Sequence, residues 1–341
     1  FNKEYPYYHF TTYARLASKV NFAQTYLITP KSPYEIHYLL PEFGEITRHY
    51  YSDRSVKKID FKPLDNAETS LIQVESNKIQ FGNKLVLSQH SLFPNMNLLI
   101  LKNNKETLWS QLVLQDNSGH VLAETTNLPK LSQTQKINYL YDSKLRMVVA
   151  KNKENNNFQN YFYAWNQDGS SLAYKNKNQT IIPKIVRDAS GLPTKVNDIE
   201  LIYNTHKRIQ HIKKNGSEIV SYQYDSSGRR IAKKFKNKWV IYFYLGNKLV
   251  GEWETNNEKE AIYAEERVPL TFNANIHRRY IYAGDLPVAF IDYPIGSTEN
   301  KSGPYHTRKP ITKNQHTLYY IHTNHIGQPI MVTDEQQNIR W

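Results

Sequence analysis

Cysteine is absent from the 341-residue chain. That excludes disulfide staples, thiolate nucleophiles and cysteine-ligated metal centres, and leaves packing and backbone pairing to hold any fold. Also missing is a long apolar run. A membrane-crossing helix needs roughly eighteen consecutive apolar residues, whereas the longest candidate here is Met96–Leu101. Phe1–Phe10 lacks the basic start and apolar stretch of an export signal. Phosphate-binding loops, zinc-binding H-E-x-x-H helices, G-x-S-x-G elbows and calcium loops do not occur either. Helical periodicity is scarce, with one or two turns expected over Thr11–Val20 and a short piece over Glu258–Arg267.

What the chain does contain is apolar and aromatic material in quantity. Hydrophobic residues make up 39%, enough to build a core for one large or two ordinary domains. The 26 tyrosines exceed anything catalysis uses and suit pleated surfaces that are half buried, where a hydroxyl can reach solvent or a partner. The net charge of +13 permits attraction to nucleic acid, anionic lipid or an acidic partner. The basic residues are nevertheless dispersed in pairs such as Lys57-Lys58, Lys213-Lys214, Lys233-Lys234 and Arg278-Arg279, and many adjoin asparagine, as in Lys175-Asn176-Lys177-Asn178. They read as hairpin tips and solvated strand faces, and a nucleic-acid partner is not expected.

The segment Ile219–Lys234 sets the pattern. Val220, Tyr222 and Tyr224 alternate with Ile219, Ser221 and Gln223, a strand signal; Asp225-Ser226-Ser227-Gly228 supplies the turn, and Arg229-Arg230-Ile231 runs back as the partner strand. Gly228 stands where the chain needs positive φ. Copies recur at Tyr203-Asn204 and Tyr244-Leu245-Gly246, so that Tyr203, Tyr224 and Tyr244 are spaced by 21 and 20 residues. Further copies occur at Tyr139-Leu140-Tyr141-Asp142, at Asp188-Ala189-Ser190-Gly191, and at Tyr282-Ala283-Gly284-Asp285. The expected fold class is all-β, with antiparallel hairpins stacked on one another because each is too small to bury its own apolar face.

Along the chain, residues 1–108 read as irregular β with poor repeat register, and 109–341 as the repeat region, interrupted by polar loop insertions at 255–277 and 293–316. In Val240–Leu245 both faces are apolar or aromatic, which suggests a strand covered on both sides. The chemistry-bearing candidates are few. His322-x-x-His325, with His306 and His316 near in sequence, is the strongest, but residues three apart on a strand point to opposite faces and no carboxylate adjoins them. They read as structural histidines, and no metal or cofactor is expected. Asp142, Asp225 and Asp285 sit at turns, where the carboxylate satisfies the backbone.

With these residues in view the chain resembles the RHS (YD-repeat) family. The resemblance rests on Tyr224-Asp225-x-x-Gly228-Arg229-Arg230 and on Tyr320-Ile321-His322-Thr323-Asn324-His325-Ile326-Gly327-Gln328-Pro329 with Thr333-Asp334 and Trp341. Tyr203, Tyr222, Tyr244, Tyr282 and Gly284 complete the structural repeat set. The resemblance implies a spiral of hairpins closing into a hollow shell, as in bacterial polymorphic toxins or Tc-toxin-like proteins, around a C-terminal toxin domain that is protected until delivery. On that reading the chain is a non-enzymatic wall segment that is secreted or delivered to a target cell, with roles in virulence or bacterial competition. Its partners would be the remaining shell and core segments, the encapsulated toxin and a secretion or delivery apparatus. The family's self-cleaving core segment would follow Trp341, so the chain reads as a portion of a longer polypeptide. Two other classes stay open: a YD-repeat adhesion module binding carbohydrate or a receptor, and a histidine-based hydrolase using His322 and His325.

Overall fold

The computed structural model describes residues 8–16, 19–40, 44–63, 67–154, 157–165, 171–176, 179–181, 184–255, 277–293 and 316–341. Among these, strands dominate, and the only helical element is a single 3-10 turn at Pro129–Leu131. Strand order follows chain order in two sheets, one of sixteen strands from Tyr8–Leu16 to Gln179–Ile181 and one of twelve from Ile185–Arg187 to Pro329–Asp334. The pairings Ser217–Tyr224 with Arg230–Phe235, Lys238–Leu245 with Lys248–Thr255, and Leu286–Asp292 with Thr317–Thr323 are all antiparallel. This is the meander that a chain of β-branched and aromatic alternations, punctuated by turn residues, is built to make.

Two compact units divide the chain. One comprises Phe1–Gln73, Val186–Thr323 and Gly327–Trp341; the other comprises Val74–Ile185 and Asn324–Ile326. In the first, Trp239, Ile241 and Phe243 point to one side of their strand and are buried, as are Trp253, Ile281, Leu318 and Tyr320 on the strands that follow. Tyr242 and Tyr244, on the opposite side, are half-buried, so Val240–Leu245 has one closed face and one partly open face. Ile59, Phe61, Leu71 and Ile72 extend the buried set, and the Phe61 ring meets His316 edge-on at 5.6 Å. In the second unit Leu85, Leu99, Leu101, Leu108 and Val113 form the buried face. The strand Gln133–Tyr141 alternates regularly between half-buried and exposed positions, as a one-sided sheet requires.

Two expectations for helix fare differently. The described residues of Thr11–Val20 are extended: the strands Tyr8–Leu16 and Lys19–Ser32 pair from Tyr8 opposite Ile28 to Leu16 opposite Lys19. Thr, Tyr, Val and Phe there favour a pleated surface, and pairing with a neighbouring strand overrides a weak helical period. Glu258–Arg267 lies outside the described residues, as do 256–276 and 294–315 within the expected insertions.

Turn chemistry follows the residues. Gly228 has φ +79°, and a Cβ placed on it would lie 2.1 Å from the Arg208 guanidinium; Gly119, at φ +88°, has open space around it. Gly228→Val is therefore expected to lower urea stability by about 1–3 kcal/mol, the cost of a strained turn residue. The loss should exceed that of Gly119→Val, because Arg208 must also leave its seat.

Candidate functional site

The repeated turns form the most regular constellation in the molecule. At Asp225 the backbone N–H of Gly228 donates to the Asp225 carbonyl at 2.9 Å, and the Asp225 N–H donates to the Arg229 carbonyl at 2.9 Å. The carboxylate closes the loop, with Oδ1 accepting the Arg229 N–H at 2.8 Å and Oδ2 accepting Arg229 Nε at 2.7 Å. Asp142 does the same with Leu145 and Arg146, and Asp334 with Gln337 and Asn338. Asn204 stands in for aspartate, its Oδ1 accepting the N–H groups of His206 and Arg208 at 3.0 Å each. Lys207 and Leu145 occupy the glycine position at φ +57° and +60°, so glycine is preferred there but not obligatory. Backbone hydrogen bonds hold the Asp116 and Asp142 carboxyls below the usual carboxylate range, the leading donors being the N–H groups of His120 and Arg146. They are acceptors built into turns.

Immediately before each turn the ladder register shifts by one residue, between Ile202 and Tyr203, Gln223 and Tyr224, Phe243 and Tyr244, and Leu140 and Tyr141. The shift is a bulge that re-aims the tyrosine. Its hydroxyl then donates to the carbonyl just beyond the preceding turn: Tyr203 to Pro193 at 2.8 Å, Tyr224 to Ile209 at 2.7 Å and Tyr244 to Arg230 at 2.9 Å. In the other unit Tyr141 reaches the Val121 carbonyl at 2.8 Å. Burial pushes the hydroxyls of Tyr141, Tyr203 and Tyr244 up in pKa, so they remain protonated donors at neutral pH.

Arginines complete the stitching. The Arg208 guanidinium lies 5.8 Å from the Tyr224 ring centroid and Arg229 5.3 Å from that of Tyr244, while Arg229 also donates to the Gly246 carbonyl. Lys248 Nζ donates to the Gly284 carbonyl at 2.6 Å and pairs with Asp285 at 3.0 Å. Gly284, at φ +59°, makes the tight turn between Ala283 and Leu286, next to Tyr282 at the end of its strand. A Cβ on Gly327, φ +80°, would come within 2.9 Å of Leu286, and Pro329 opens the final strand opposite Thr323. Tyr222 lies under Arg230, 3.9 Å from ring centroid to guanidinium. Sequence reasoning missed the roles of Arg208 and Lys248, although an arginine four positions past the turn Asp or Asn recurs at Arg146, Arg208 and Arg229. It also missed the half-buried pairs on Arg278–Ala283, where Tyr280 donates to Glu252 at 2.9 Å and Arg278 holds Asp292 through two bonds of 2.6 and 2.8 Å.

The two histidines of His322-x-x-His325 fall in different compact units. His322 is completely buried, with Nε2 2.9 Å from Thr333 Oγ1. His325 belongs to the other compact unit, where Nδ1 lies 3.4 Å from Gln111 Oε1. His306 lies outside the described residues. Among the described residues no group of three or more His, Asp or Glu side chains could hold a metal ion, and no helix is long and apolar enough to cross a membrane.

No family model matches the chain, and no curated protein matches it by sequence. Solved structures do match in fold. A Tc holotoxin pore of Photorhabdus luminescens carrying a TccC3 substitution aligns over 93% of this chain with a TM-score of 0.62 at 13% identity. A TcdB2-TccC3-TEV structure gives the same values, and TcdB2-TccC3 aligns over 93% with a TM-score of 0.59 at 11% identity. The chain spans 17% of the length of the first two and 18% of the third. In fold the chain resembles these Tc-toxin structures.

Burial pushes the His322 imidazole down to about 3. The folded state keeps it neutral while the unfolded chain takes up a proton below its ordinary value of 6.5, so the stability it contributes is complete above that value and is lost as pH falls below it. His322→Ala is expected to cost about 2–4 kcal/mol from the lost packing and hydrogen bond. It should also flatten the acid-side decline in a pH series of urea unfolding curves.

Proposed function

We propose that the chain is a non-enzymatic wall segment of an RHS-repeat shell that encloses a C-terminal toxin domain and protects it until delivery. The observation that carries this reading is the turn row, in which polar groups of the repeat bind their own turn or a neighbouring hairpin. The hydroxyls of Tyr203, Tyr224 and Tyr244 and the carboxylates of Asp142 and Asp225 have intramolecular partners, an arrangement suited to a continuous wall and not to binding a reacting substrate. The fold likeness to Tc-toxin structures supports the same role. The partners would be the rest of the shell and core segments, the enclosed toxin and a delivery apparatus, with the assembly secreted or carried to a target cell. Residues 1–108 would begin the same wall that 109–341 continue, with Tyr203, Tyr222, Tyr224, Asp225, Gly228, Arg229, Tyr244, Tyr282, Gly284, His322, His325, Gly327 and Pro329 serving structure.

Limited proteolysis of the cargo-bearing polypeptide tests this. His325→Ala should leave the cargo resistant and deliverable, because an imidazole outside any reaction centre is dispensable. Proline at Tyr203, Tyr224 and Tyr244 together should expose the cargo, since each proline removes a ladder donor and a staple. Loss of delivery in His325→Ala with the cargo still resistant would replace the wall reading with a chemical one.

A further inference from the structure

Away from the turn row, the strands Glu35–Leu40, Gly44–Tyr50 and Val56–Pro63 carry a line of alternating acids and imidazoles. Their register makes the line: Glu35 lies opposite His49, His49 opposite Lys58, and Thr47 opposite both His37 and Asp60. His37 Nε2 is 2.7 Å from Glu35 Oε1, and its Nδ1 contacts Glu45 Oε1. His49 Nε2 is 3.2 Å from Asp60 Oδ2, and its Nδ1 is 3.5 Å from Glu35 Oε2. Lys58 Nζ ends the line 2.9 Å from Asp60 Oδ2, and Asp60 is almost fully buried.

A neutral imidazole has one donor nitrogen and one acceptor, whereas an ionised carboxylate only accepts. With a carboxylate at each nitrogen, a neutral ring must turn a lone pair on an anion, and only the imidazolium donates to both. His37 is in this position, held by Glu35 from its own strand and Glu45 from the next. We infer that this array is a pH-operated latch: the His37 imidazolium ties the strands Glu35–Leu40 and Gly44–Tyr50 together while protonated, and its deprotonation loosens this strand pair at alkaline pH.

The other charges among the described residues leave that conclusion standing. Lys31, on the preceding strand, acts on Glu35, and Lys62 lies opposite Glu45. The strand Thr69–Glu75 brings the uncharged Ser70 and Gln73 opposite Asp60 and Lys58. Deprotonation of His37 thus removes a positive charge from between Glu35 and Glu45 and leaves Lys31 and Lys62 to offset them. Burial opposes the charge on His37 but is outweighed by its hydrogen bonds to Glu35 and Glu45, which hold the imidazole above its ordinary 6.5. The His37 hydrogen bond lowers Glu35 against the opposing effect of burial. A raised histidine contributes stability that is complete below its unfolded value and is lost as pH rises through the folded one. The latch is therefore closed from mildly acidic to neutral pH.

Hydrogen exchange of the full chain, with EDTA present and labelling times scaled for intrinsic exchange, tests this at about pH 6 and about pH 9. Peptides from Glu35–Leu40 and Gly44–Tyr50 should lose several-fold protection at the higher pH relative to Ser217–Tyr224 and Arg230–Phe235, which serve as internal controls for folding. The variant His37→Gln should show the reduced protection already at the lower pH, with no further change. His206→Gln, on an exposed turn, should behave as the parent. An unchanged protection ratio in the parent, or the same pH response in His37→Gln, overturns the latch.

Discussion

A phenol hydroxyl that reaches back to the carbonyl beyond the preceding turn is the contact on which the ladder depends. A single hairpin of this size is marginal in water and needs a neighbour, and the carbonyl just beyond its turn needs a hydrogen-bond donor. Tyr203, Tyr224 and Tyr244 meet both needs in succession, each tying its hairpin to the one before it. The hydroxyl can make that bond because the ladder slips one residue immediately before the tyrosine, which turns the ring out of the regular alternation. Stability then becomes a sum of small neighbour terms, as in other repeat architectures.

The turn aspartate and the arginine four residues on are the complement of that contact. The carboxylate gathers the backbone N–H groups of a tight loop, and the arginine it holds stacks towards the next tyrosine, as Arg229 does over Tyr244. Asparagine at 204 performs the same backbone service with its amide oxygen, which explains why the repeat tolerates loss of charge there. Residues that look like general acids in a one-dimensional reading are thereby committed to geometry.

Much of this was legible in the sequence. Alternation in Ile219–Tyr224 and the Asp-x-x-Gly turn fixed strand and reversal together, because both are local. Contacts made across strands were not legible: nothing in the one-dimensional spacing says that Tyr224 meets Ile209, or that His37 and His49 share Glu35, since register alone brings them together. The turns Tyr51–Ser55 and Phe81–Leu85 keep the same backbone hydrogen bonds with Arg54 and Lys84 at positive φ, and without the Asp-to-Gly spacing they left little trace. His322 looked like a possible ligand because its burial follows from the packing of Thr317–Thr323, where most positions are buried.

Urea unfolding of the triple variant Tyr203→Phe, Tyr224→Phe, Tyr244→Phe tests the coupling most directly, since it removes three hydroxyls and keeps every ring. If those bonds couple the hairpins, stability should fall by about 3 kcal/mol, roughly 1 per bond, and the transition should broaden as neighbouring hairpins unfold separately. An unchanged midpoint and slope would contradict the account.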